Sequence, residues 1–82
     1  MTKTVYQHIE INPKIMLGKP VIKGTRIAVS LVLNLLANNY TTEKIIKAYP
    51  ELTTKDIQAC LAFAAQFLNL QEEKELSITT YD

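Results

Sequence analysis

The chain has 82 residues, 48% of them apolar, and a formal net charge of +1. That length holds one domain, and a domain so small buries only roughly 60% of the surface its unfolded chain exposes, so this much apolar surface implies a second copy or a partner to cover part of it. The lone cysteine, Cys60, excludes a disulfide framework and a multi-cysteine zinc site, and the absence of a signal-like N-terminus or an 18-residue apolar run leads us to expect a cytoplasmic protein.

Taken in order, residues 1–4 read as frayed, and Val5 to Ile11 as a short strand in which Ile9 and Ile11 alternate with His8 and Glu10. Asn12-Pro13 stops it. Gly18-Lys19-Pro20 reads as a turn, because glycine permits positive φ and proline pushes the residue before it toward extended geometry. Gly24 interrupts the β-formers Val21, Ile22, Thr25 and Ile27, as a bulge or close backbone approach would require. Val21–Ile27 therefore reads as a ribbon pairing with the first strand, inside one chain or exchanged between two.

The first helix is expected from Ala28 or Val29 to Ala37 or Asn38, with Leu31, Val32, Leu35 and Leu36 as its apolar stripe and Asn38-Asn39 supplying a left-handed stop. The second follows at once. Thr41 or Thr42 caps it, Glu43 suits the positive end of its dipole, Ile45, Ile46 and Tyr49 form its buried side, and Pro50 ends it. Thr53-x-x-Asp56 opens the third as a capping box. There Ile57, Cys60, Leu61, Phe63, Ala64, Phe67, Leu68 and Leu70 cover about half the circumference, opposite Lys55, Gln58, Gln66 and Asn69. A face that wide serves both a core and a dimer seam, for which Leu61, Phe63, Ala64, Phe67 and Leu68 are the candidates. Cys60 reads as a small buried apolar residue. The helical pattern continues to about Leu70 or further, and within the tail over residues 71–82 the stretch from Leu76 to Asp82 has no helical period and is rich in β-branched residues, a composition suited to docking on a partner. The fold class expected is mainly α: a dimeric trihelical, helix-turn-helix-like domain over residues 5–70 with a short N-terminal β-hairpin or ribbon.

Chemistry-bearing residues are sparse. His8 is the one histidine and has no acidic residue at ligand spacing; the acids are scattered or run together at 72–75; Ser30 and Ser77 sit in no nucleophile motif; and the two glycines do not form a phosphate cradle. The reading is not an enzyme, with no cofactor and no metal. Charge is more informative: residues 1–26 carry five basic groups against Glu10 alone, and residues 27–82 carry four against seven acids. Lys19, Lys23 and Arg26 on the ribbon suit phosphate, and Thr54, Lys55 and Gln58 at the start of the third helix suit base edges in a helix-turn-helix.

Glu10-Ile-Asn-Pro to Ile15, Gly18-Lys-Pro-Val-Ile-Lys-Gly-Thr-Arg-Ile27-Ala-Val29, Leu35-Leu36-Ala37, Ile45, Tyr49-Pro50-Glu51-Leu52-Thr53, Asp56-Ile57 and Ala62-Phe63-Ala64-Ala65 together resemble the family called domain of unknown function 433. The resemblance covers roughly residues 9–68. It implies a compact helix-turn-helix-like domain, typically bacterial, of the VapB-type antitoxin kind, encoded beside a PIN-like ribonuclease toxin. Ala28 departs from the proline common in the family before Val29. The function expected is an antitoxin that neutralises such a toxin, with Leu76, Ile78 and Tyr81 of the tail on the toxin, and that binds operator DNA as a dimer to regulate its own transcription. The alternative is a dimeric protein-interaction module without DNA binding.

Overall fold

The computed structural model describes the backbone of residues 3–6 and 8–75 and the side chains of residues 8–66. Strands β1 (Lys3–Tyr6), β2 (Ile9–Ile11) and β3 (Val21–Ile22) form an antiparallel sheet in the order β1-β2-β3, and helices α1 (Val29–Ala37), α2 (Thr42–Ala48) and α3 (Thr54–Glu75) follow. The domain is mainly helical with a short N-terminal sheet, as its sequence pattern predicts. Among the described residues no helix is long and apolar enough to cross a membrane.

The sheet corrects the sequence reading in two places. Val5–Ile11 is not one strand: His8 adopts φ 91° and the chain reverses there, so that Lys3 and Thr4, expected to fray, pair with Ile11 and Glu10. The ribbon strand stops at Ile22 and does not run to Ile27. The Thr25 hydroxyl donates to the Ile22 carbonyl at 2.7 Å and accepts from the Ile27 amide at 2.9 Å, closing a tight turn with Gly24 at φ 82°. A Cβ on Gly24 would meet nothing within 4 Å, so of the two readings of this glycine, a bulge or a close backbone approach, the second does not hold, and Gly24 supplies backbone freedom. The returning chain pairs Ala28 with Val21 and enters α1 directly.

Between β2 and β3 the chain is held by its own polar groups. Asn12 accepts the Lys14 amide on its side chain and the Ile15 amide on its carbonyl, at 2.9 and 2.8 Å. Met16, Leu17 and Gly18 then take φ 51°, 56° and 82° in succession. For a residue with a Cβ this left-handed conformation costs roughly 1–2 kcal/mol, so the loop carries strain at Met16 and Leu17 and none at Gly18. Bonds from Gly18 N to Ile15 O (3.0 Å) and Lys19 N to Met16 O (3.1 Å) fix it.

The helices begin and end as their local chemistry dictates. Thr41 caps α2 by accepting the Lys44 amide at 3.1 Å, and Asn39 at φ 70° ends α1. Thr53 and Asp56 form the reciprocal box: the Thr53 amide donates to Asp56 Oδ2 at 2.9 Å and the Asp56 amide to Thr53 Oγ1 at 3.2 Å. The core is Ile9, Ile22, Ile27, Val29, Val32, Ile45, Leu52, Ile57, Ala59 and Cys60. The α3 members of it lie in its first two turns, whereas 22 residues make a rod about 33 Å long. From Leu61 onward the described side chains are half-buried or exposed.

Candidate functional site

Asp56 joins the parts of the molecule that carry charge. Its Oδ2 caps α3, and its Oδ1 lies 2.8 Å from His8 Nδ1, across 48 residues of sequence. The positive φ of His8 turns the imidazole toward α3, and the His8 carbonyl accepts the Lys23 amide at 2.7 Å. The turn bearing Lys23 and Arg26 is thereby tied through His8 to the start of α3, whose first five residues include Thr54, Lys55 and Gln58. All five of these side chains are exposed. Glu10 shares this end of the molecule, with its Oε1 3.4 Å from the Gly24 amide.

Lys19 stands elsewhere. It is exposed, but it lines an apolar groove of about 450 Å³ with Pro20, Val29, Ser30, Leu33, Phe63 and Ala64. Phe63 is eight residues beyond Lys55, about 12 Å along the helix, so the groove opens on α3 well past the basic turn. Of the predicted seam residues, Phe63 and Ala64 line this groove half-buried, and Leu61, which is not among its lining residues, is 49% exposed. The side chains of Phe67 and Leu68 lie outside the described residues, as do Leu76, Ile78 and Tyr81 of the tail.

Cys60, one turn after Asp56, is fully buried, and burial together with the Asp56 charge pushes its thiol up to about 11. A neutral, enclosed thiol is a packing group and a poor nucleophile, although histidine and carboxylate both lie on its side of the fold. No cluster of three or more histidine, cysteine or acidic groups able to hold a metal occurs among the described residues.

Two features escape sequence reading. The His8–Asp56 pair has no signal, since its members are 48 residues apart and Asp56 reads fully as a cap. Leu17, 93% exposed in a left-handed turn, is also silent, because nothing in Met-Leu-Gly announces positive φ before the glycine.

The family model described as "Protein of unknown function (DUF433)" matches residues 9–64. The chain belongs to this family. The DUF433 segment holds the basic turn, all of α1 and α2 and the capped start of α3, and it ends at the groove residue Ala64. The crystal structure of a DUF433 member protein from Anabaena variabilis ATCC 29413 is similar in fold, with a TM-score of 0.69 at 27% identity, covering 72% of this chain and 58% of that one. The chain thus spans little more than half the length of that relative. No curated protein matches.

Proposed function

We propose that this DUF433 protein is a DNA-binding antitoxin that acts as a homodimer in the cytoplasm, represses its own operon and neutralises a PIN-like ribonuclease. The observation that supports the DNA half is the Lys23–His8–Asp56 connection, which puts an exposed basic turn beside the exposed N-terminal turn of a helix-turn-helix. In this reading Lys23 and Arg26 neutralise phosphates, which sets affinity and orientation without sequence preference. Lys55 and Gln58 reach base edges, where lysine suits guanine and glutamine suits adenine, and Thr54 contacts either base or backbone. Lys19, on the groove wall, contributes little to that surface. The toxin half rests on the family resemblance. The protein-interaction alternative is supported by Leu17, an aliphatic side chain offered almost wholly to solvent.

The test is fluorescence anisotropy of the purified protein on the DNA upstream of its own gene, together with co-expression beside the neighbouring ribonuclease gene. Salt-dependent binding and restored growth are expected. Absence of DNA binding at low salt with growth still restored would leave the interaction module as the function.

A further inference from the structure

We propose that Met16 and Leu17 form a rigid apolar knob that seats in the groove of a second copy of this chain, two such knobs closing a two-fold dimer. The proposal deepens the dimer reading above and rests on it, because the groove is bounded by Phe63 and Ala64 of α3.

Three observations meet in it. The first is the knob's conformation: two consecutive non-glycine residues are held at φ 51° and 56° by hydrogen bonds on both sides, and bulky residues persist there only when the surroundings over-determine them. A loop held in this way has its backbone fixed before docking, so that only side-chain freedom is left to lose. The second is what the loop presents, Leu17 93% exposed and Met16 41% exposed. Leu17 therefore lies outside its own molecule's groove, although Lys19, two residues later, is part of that groove's wall.

The third observation is adjacency. The Cα atoms of Leu17 and Lys19 are at most about 7.6 Å apart, so knob and groove are neighbours on the surface. An isologous interface requires one surface to be complementary to itself, with residue i meeting j and j meeting i. A two-fold axis passing between knob and groove satisfies this, since it brings each knob over the partner's groove. The groove's lining is aliphatic or aromatic apart from Lys19 and Ser30, and its volume of about 450 Å³ admits both Leu17 and Met16.

Leu17→Asn removes the knob while asparagine tolerates the left-handed backbone, so the variant should remain folded by circular dichroism. Sedimentation equilibrium of the full chain should then show the dimer dissociation constant raised at least about a hundredfold, a factor of about ten or more for each of the two leucines withdrawn from a groove. Ser30→Trp, at an exposed helix position on the groove wall, should plug the groove and weaken the dimer equally with Leu17 intact. Mixing the two variants should restore a heterodimer of intermediate strength, because one intact knob then meets one intact groove. Leu61→Glu, outside the groove, separates this proposal from the wider α3 seam. An unchanged dimer in Leu17→Asn overturns the knob, and if Leu61→Glu dissociates the same protein the seam stands without it. Dissociation by Ser30→Trp but not by Leu17→Asn assigns the groove to another group and overturns the knob as well. A wild-type chain that is monomeric at every concentration overturns both.

Discussion

At the residue scale Asp56 stabilises the fold through both its oxygens. Removing the capping carboxylate costs about 1 kcal/mol, and losing a hydrogen bond to a charged group about 1.5–3 kcal/mol, so Asp56→Ala should destabilise by about 2–4 kcal/mol in urea unfolding. His8→Ala loses only the second part, and the two changes should couple by about 1.5–3 kcal/mol in a double-mutant cycle, whereas simple additivity would mean the pair is incidental. Cys60 sets a different expectation. Its folded-state thiol is raised from 9.0 to about 11, so the neutral form is favoured by folding. That contribution is fully present below pH 9 and is lost as pH rises through 11, an alkaline loss of about 2–3 kcal/mol at about 1.4 kcal/mol per pH unit. The wild type and Cys60→Ala should therefore converge in stability between pH 9 and 11. Native Cys60 should also react with a disulfide reagent at pH 8 only on unfolding, since about one thiol in a thousand is ionised there. Sequence alone identifies Cys60 as a packing residue because it falls on an apolar face; it does not disclose that Asp56 faces His8, because partners from distant segments leave no local pattern.

At the scale of elements, legibility follows local chemistry. The Thr53–Asp56 box and the stop at Pro50 are read directly, and of the paired candidates Thr41 or Thr42 and Asn38-Asn39 it is Thr41 that caps α2 and Asn39 that takes the left-handed φ. The hairpin between β1 and β2 is not read this way, because its reversal falls on a histidine at positive φ, a conformation offset by a tertiary hydrogen bond and not announced by glycine or asparagine. The start of α1 is the weak junction: Ala28 offers no side-chain cap. It has φ −71°, within proline's range, and the bonds flanking its pairing with Val21 run from Val29 N to Pro20 O and from Ile22 N to Ile27 O. Ala28 and Val21 thus face each other in a non-hydrogen-bonded pair, so the Ala28 amide is outside the ladder. Ala28→Pro should restrict the unfolded chain without losing a bond and raise stability by about 0.4–1 kcal/mol. A lower thermal midpoint would mean that Ile27 cannot accept the restriction proline imposes on the preceding residue.

On the scale of the whole molecule the fold divides the basic residues that the sequence leaves together. Lys19, Lys23 and Arg26 lie within eight positions, and linear reading assigns them to one ribbon. In three dimensions the two residues of β3 stand between them: Lys19 and Pro20 line the groove with Phe63, while the Lys23 amide bonds to His8, whose ring meets Asp56 in the first turn of α3. Two surfaces result, a polar one joining the basic turn to Thr54, Lys55 and Gln58, and an apolar one running from the Met16–Leu17 loop to Phe63 and Ala64. If DNA lies on the first, each phosphate-contacting cation contributes about 0.9 to the slope of log affinity against log salt concentration. Lys23→Ala and Arg26→Ala should each lower that slope by about one per protomer and weaken binding to all sequences alike. Gln58→Ala should leave the slope unchanged and reduce the preference for the operator over random DNA by about 1–3 kcal/mol. Lys19→Ala should alter neither, because Lys19 lines the groove on the other surface. Titrations of the four variants across a range of salt concentrations decide the matter: equal slope losses for Lys19 and Lys23 would put DNA across the groove, and that would remove both the proposed orientation of α3 and the room for a second copy to dock there.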